Sequence, residues 1–333
     1  GRQNLQIVTR AHVRRVVIED GRATGVEIQR RDGSREVIRA RREVILSAGA
    51  IGSPQILMLS GVGKAEHLKE HGITVQHDAP EVGRNLQDHL QARLVFKCHE
   101  ATLNDEVRSL VNKARIGLQY ALTRSGPMTM AASLVFGFMR TRPDLASPDI
   151  QFHIQPWSAD SPGEGVHPFS AFTQSVCQLR PESRGTITLK SADPLAAPRI
   201  DPNYLSEKVD CDTIVEGIRI ARRIAQTEPL KSAISEELRP PAQPQGYDEL
   251  LDWARMNSTT IYHPTSTCRM GADEGSVVDP RLRVRGLRGL RIADCSIMPK
   301  IVSGNTNAPA IMIGAKLAQM VLEDARTDTR SAA

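Results

Sequence analysis

The sequence predicts an α/β protein in two parts: an α/β part divided between the two ends of the chain, and an α+β part between them. Three observations carry this prediction. A β-rich opening runs into "EVILSAGAIGSPQILMLSG", which reads as strand, glycine turn and helix. The middle of the chain changes style, with the alternating "DIQFHIQP" and the helix-periodic "CDTIVEGIRIARRIAQ". The end returns to the first style, with "LRIADCSIMP" followed by "SGNTNAPAIMIGAKLAQMVLEDA".

Taken in order, "LQIVTR", "HVRRVVIED", "TGVEIQR" and "REVIRA" are β-forming runs separated by "DGRA" and "RDGS". Asp-Gly between extended runs favours a tight hairpin, because glycine accepts positive φ, so a small antiparallel meander is expected. Val44 to Ser47 then forms a buried strand. A helix is expected to open near Ser53-Pro54, with Ser as cap and Pro at the first helical position. A strand, a glycine turn and a helix N-terminus together suit a phosphate or the edge of a nucleotide.

The middle part begins with a helical stretch near Val107–Leu122 and the loop "RSGPMT". Two strands follow, in "DIQFHIQP" and "RGTITLKSAD". In the first, Ile150, Phe152 and Ile154 share one face, and Gln151, His153 and Gln155 share the other. A loop rich in Gly, Ser and Pro spans Ser158 to Ser170. In "CDTIVEGIRIARRIAQ", Ile214, Ile218, Ala221 and Ala225 fall on one helical face. This part reads as an antiparallel sheet with helices on one side. At the end of the chain, Asn307-Ala308-Pro309 opens a long helix whose free N–H groups and dipole point at a ligand. The expected divisions are 1–90, 91–255 and 256–325, with 326–333 a tail without structure.

Composition narrows the function classes. The 333 residues are 40% hydrophobic and 24% charged, with a formal charge of +5. The basic run "RRDGSREVIRARRE" is broken by acids, and aromatics make up only 4%. Bases need rings to stack on, so a solvated strand pair explains the run better than a nucleic-acid surface. Cys98, Cys177, Cys211, Cys268 and Cys295 are dispersed and odd in number, as in a protein of reduced thiols. His263 and Cys268 lack a second ligand pair, so no metal site is expected. No run of about 20 apolar residues would cross a membrane. The chain opens without Met in what reads as a strand. The natural N-terminus and any targeting segment are therefore expected upstream.

Three stretches carry candidate chemistry. His263, in "IYHPTSTCRMG", precedes Pro264 and so lies in extended loop geometry. Read alone, it is a loop histidine bonded to backbone. Asn305 and Asn307, in "SGNTNAP", exceed what a single helix cap needs. "VGRNLQDH" is a polar turn, or a buried Asn-Asp-His loop holding two domains together.

In order, "GAIGSPQILMLSGVG", "VGRNLQDH", "YHPTSTCRMG", "LRIADCSIMP" and "GNTNAPAIMIGAKLA" resemble motifs of the glucose–methanol–choline oxidoreductases. The similarity is to the branch around choline dehydrogenase and acceptor-linked alcohol dehydrogenases. It covers nearly the whole chain, with the middle matching loosely. The resemblance implies an FAD-binding Rossmann-like domain and an antiparallel-sheet substrate domain. The first is incomplete, because G-x-G-x-x-G is absent and "GVGKAE" lacks its last glycine. By the same resemblance, the Ala48-Gly49 turn passes the adenosine side of FAD, and the Val13 backbone reaches the adenine. Asp294 lies near the ribityl or pyrophosphate portion, and Asn307 and Ala308 meet the flavin pyrimidine. His263 matches the catalytic histidine and Asn305 its partner. His153, on the polar face of its strand with Gln151 and Gln155, is expected either to point into the substrate cavity or to face solvent.

The resemblance implies oxidation of a primary alcohol, choline-like or aliphatic, to the aldehyde. The electron acceptor would be a quinone, oxygen or another compound. The expected location is the cytoplasm or the periphery of the inner membrane. This stretch alone is expected to be inactive. The alternative is a catalytically dead, truncated relative serving as a binding or scaffold protein.

Overall fold

A computed structural model of the chain describes residues 2–331 other than 132, 161–163 and 242–243, with side chains described as far as Arg326. The loop expected at Ser158–Ser170 therefore has residues 161–163 outside the described set. The chain divides into two units. One comprises Gly1–Asp88, Ser183–Tyr204 and His263–Ala333; the other comprises His89–Glu182 and Leu205–Tyr262.

In the first unit, β1 (Ala11–Glu19), β2 (Arg22–Arg30) and β3 (Arg35–Arg39) form an antiparallel sheet in that order. Asp20 and Gly21, at φ 48° and 70°, make the tight turn that the Asp-Gly pair predicts. "LQIVTR" is not a strand. Leu5 and Ile7 stand exposed, and among the described residues no neighbour strand pairs with the run. β formers alone do not make a strand without a ladder and a buried face.

β4 (Val44–Leu46) leads through Ala48 into α1 (Gly49–Leu59). The helix begins four residues before the expected Ser53-Pro54 opening, and Pro54 lies inside it. A proline there has no N–H for the carbonyl four residues earlier. Thr267 supplies the missing donor, its Oγ1 hydrogen-bonding to the Ala50 carbonyl at 2.6 Å. The 183–204 segment joins this unit with a short antiparallel pair, Thr186–Thr188 against Arg199–Asp201.

The second unit is built on a sheet. Its strands are β5 (Leu90–Cys98), β6 (Val135–Met139), β7 (Ile150–Gln155), β8 (Ala171–Gln178) and, after α2 (Lys208–Ala225), β9 (Ile234–Arg239). The order across the sheet is β9-β5-β8-β7-β6, with Thr259–Thr260 also pairing β5. All pairings are antiparallel. α2 covers one face with Ile214, Ile218 and Ala221 buried. Gly217 allows that approach, since a Cβ there would lie 2.7 Å from Val176 Cγ2. Arg222 of α2 pairs with Glu237 of β9 at 2.9 Å. The opposite, polar face is buried as well: Gln151 is 2% and Ser175 1% exposed.

The chain then returns to the first unit with β10 (Leu290–Ile292), which lies parallel to β4. α3 (Asn307–Ser331) follows and runs past 326, where a tail without structure was expected. Buried Arg291 of β10 ties these elements together, reaching Glu43 at 2.7 Å and Asp324 of α3 at 2.5 Å. Leu46, Leu57, Ile292, Ile313 and Leu317 meet in the core of this unit.

Candidate active site

Parallel strands deliver their C-terminal ends to the same side, and in open α/β sheets ligands bind there. β4 and β10 end in the turns at Ala48-Gly49 and Ala293-Asp294. Gly49 has φ 77°, and a Cβ built on it meets no atom within 4 Å. The backbone is therefore bare at this turn.

Asp294 joins the two turns. Its Oδ2 accepts from Gly49 N at 3.0 Å and from Ser53 Oγ at 2.6 Å, and its Oδ1 accepts from Ser296 N at 2.8 Å. Ser53 Oγ in turn accepts from Ala48 N at 3.1 Å. Ser53 therefore braces the turn from inside the helix, where the sequence reading made it the cap. α3 opens nearby in sequence, with Asn305, Asn307 and Ala308 exposed at its start. A helix N-terminus leaves its first N–H groups without intrahelical partners. Val13 lies half-buried on β1, an edge strand, just before an irregularity in the register with β2.

His263 begins a segment held from two sides. Gln87 and Thr265 exchange backbone hydrogen bonds at 3.2 and 2.9 Å, and Gly83 N donates to Thr267 O at 2.8 Å. On the other side Ser266, Cys268 and Met270 donate to the carbonyls of Cys295, Ser296 and Ile297. The Gln87 side chain extends this clamp, its Oε1 accepting from Ile301 N at 3.1 Å. Three sequence motifs thus form one hydrogen-bonded layer, with His263 at its start and Asn305 shortly beyond its end.

Asp88, 7% exposed, fixes His263 directly. Its Oδ1 accepts from His263 N at 2.9 Å, and its Oδ2 accepts from the Tyr204 hydroxyl. Tyr262, just before His263, holds φ 63°, a strained conformation of the kind found at functional sites. The His263 ring is half-buried. Burial pushes its pKa below the ordinary 6.5, and the Asp88 charge acts against that shift.

His153 lies in the second unit, on β7, with its ring edge-on to Phe136 at 5.3 Å. Asp88, Tyr204, Gln87 and Thr267 were not assigned roles from sequence. Only "VGRNLQDH", read as a polar loop with a possible structural task, pointed toward two of them. Among the described residues no group of three His, Cys, Asp or Glu side chains is placed to hold a metal, and no helix is long and apolar enough to cross a membrane.

Paired parallel strand ends and a histidine clamped by Asp88 are what this unit offers to a ligand. Two family models, both described as GMC oxidoreductase, match residues 1–91 and 181–314, and the chain belongs to that family. Its cofactor is FAD. The chain is 43% identical over 323 residues to an alcohol dehydrogenase [acceptor] of Pseudomonas putida, covering 96% of this chain and 58% of that protein. It is 41% identical over 324 residues to an oxygen-dependent choline dehydrogenase of Cronobacter sakazakii, covering 96% and 57%. Among solved structures it resembles a formate oxidase of Aspergillus oryzae, with a TM-score of 0.91, 27% identity, and 98% of this chain and 62% of that chain covered. The chain thus spans less than two thirds of the length of the relatives it matches.

Proposed function

We propose that this chain serves an FAD-dependent enzyme that oxidises a primary alcohol to the aldehyde, with His263 as general base. The observation that carries this reading is the clamp on His263, which fixes its backbone through Asp88 while burial favours the neutral ring. A neutral imidazole near working pH suits proton abstraction.

The residues present fit the cofactor. The bare backbone at Gly49 leaves room for the adenosine side, with Ala48 and Asp294 shaping the turn. The open edge of β1 offers the Val13 backbone to the adenine. The exposed start of α3 presents Asn307 and Ala308 to the flavin pyrimidine, where a helix dipole favours negative charge. The hydride acceptor for the carbinol carbon would be supplied by FAD when it is bound. His263 takes the hydroxyl proton. Asn305 donates a hydrogen bond to the developing alkoxide and orients it, and an uncharged amide does so without adding charge beside His263. His153 serves the substrate side. The electron acceptor is oxygen, a quinone or another oxidant, consistent with the names of the relatives. The enzyme works in the cytoplasm or at the membrane periphery.

The test is aldehyde formation from a panel of primary alcohols by the intact, flavin-loaded protein. Aldehyde from at least one alcohol, matched by reduction of an added acceptor, is the expected result. A colourless protein that takes up no FAD would overturn the reading.

A further inference from the structure

A cleft of about 820 Å³ opens on the first unit, and every residue lining it belongs to that unit. Glu43, just before β4, and Leu290, the first residue of β10, are among them. The cleft therefore lies at the N-terminal ends of the two parallel strands, whereas the turns at Gly49 and Asp294 follow their C-terminal ends. Its lining holds six arginines and two carboxylates. Both carboxylates are engaged: Asp324 takes Arg283 and Arg291, each at 2.5 Å, and Glu43 takes Arg291 at 2.7 Å. Arg22, Arg41, Arg42 and Arg288 are exposed, and among the described residues none of the four pairs with a carboxylate. Arg22 Nη2 donates instead to the Arg42 carbonyl at 2.7 Å, and Arg288 Nη2 to the Asp20 carbonyl at 2.9 Å. A carbonyl orients a guanidinium without neutralising it. The backbone also holds these charges together, since Arg22 and Arg288 are bridge partners. Like charges so placed repel unless an anion lies among them.

Uncompensated guanidiniums around a concave surface focus a positive field, and their planar forks match phosphate oxygens. The volume falls within the range of roughly 300–1,000 Å³ typical of small-molecule sites. Four cations call for more charge than one phosphate group brings, which is about two. We propose that this cleft binds an anion carrying two phosphate groups, free or as the headgroup of an acidic lipid, at a site separate from that of FAD. Arg41 and Arg42 are its readiest donors, because their side chains make no hydrogen bond or ion pair among the described residues. They end the basic run that leads into β4. That run lacks the rings that bases need, but phosphates need only cations and N–H donors. Leu287 and Val321 add an apolar margin suited to the carbon skeleton that joins the phosphates. The site stands whether or not the protein oxidises an alcohol.

The experiment uses the intact flavin-loaded protein in phosphate-free buffer. Calorimetric titration with inorganic pyrophosphate and with sulfate measures the site, and the flavin absorbance reports whether the cofactor stays bound. Pyrophosphate should bind about tenfold or more tightly than sulfate, the order expected from further hydrogen bonds between charged groups, with the flavin retained. The double variant Arg41→Gln, Arg42→Gln should weaken pyrophosphate binding by about the same factor and keep its flavin, both side chains being exposed. The double variant Arg31→Gln, Arg35→Gln removes the same charge at the far end of β2, roughly 25–30 Å along the strand, and should bind as the unaltered protein does. An equal loss in both variants would reduce the effect to net charge and overturn the site, and so would displacement of the flavin by pyrophosphate. Sedimentation with cardiolipin vesicles, against phosphatidylcholine vesicles, separates the two sources of the anion. Retention on cardiolipin that is lost in Arg41→Gln, Arg42→Gln assigns a lipid headgroup; pyrophosphate binding without retention assigns a free anion. Binding of neither, or retention that survives the variant without any pyrophosphate binding, would overturn the proposal.

Discussion

His263 shows how one side chain is tuned by two opposed effects. Burial lowers its pKa, and the Asp88 carboxylate works to raise it. The base is neutral above its pKa, so activity should fall as pH drops through a value below 6.5. Asp88→Asn removes the charge but retains an oxygen for the His263 N–H, leaving burial unopposed. The acid limb of kcat/KM should then move to lower pH; a shift upward, or none, would contradict the account. Stability carries the same sign. The unfolded histidine keeps a pKa near 6.5, so below that pH the unfolded state binds a proton that the folded state disfavours. This contribution to stability is therefore lost as pH falls through about 6.5 and below. His263→Asn should flatten that part of the melting-temperature profile between pH 7.5 and 5. The sequence pointed to His263 through its motif but did not reveal its holder. Asp88 lies 175 residues away, and no local pattern encodes a bond across that separation.

At the scale of elements, α1 depends on a side chain from outside it. Pro54 leaves the Ala50 carbonyl without its helical donor, and Thr267 supplies one. Thr267→Val keeps the shape and removes the hydroxyl. It should cost about 1–3 kcal/mol, the penalty of a buried acceptor left unpaired, read from the urea unfolding midpoint. Thr267→Ser should recover most of that loss, and equal stability of the Val variant would contradict the role given to Thr267. This bond also explains where the sequence misplaced the helix start. Ser-Pro reads locally as an opening, but Asp294 and Ser53 stabilise a turn already formed at Gly49. The Asp20-Gly21 hairpin was legible because its chemistry is local. The fate of "LQIVTR" was not, because a strand needs a partner. In β7 the alternation correctly gave which residues share a face. It did not disclose that the polar face is buried, since burial depends on what covers it.

At the scale of the whole molecule, the chain contributes two units, and the 183–204 segment returns to the first before the second is complete. That return was not legible, because a three-residue strand such as Thr186–Thr188 carries no signal of which sheet partner it finds. Family membership was legible from five short motifs in order; four of them form the clamp and the strand-end turns, and the fifth opens α3. The central claim is that His263 removes the hydroxyl proton as the alcohol is oxidised. The most direct measurement is the anaerobic rate at which an alcohol substrate bleaches the flavin of the intact protein, compared with its His263→Ala variant. The account predicts that the variant stays yellow and that bleaching slows by roughly 10²–10⁴-fold, the usual contribution of a positioned general base. A variant that binds FAD and bleaches as fast as the unaltered protein would contradict it.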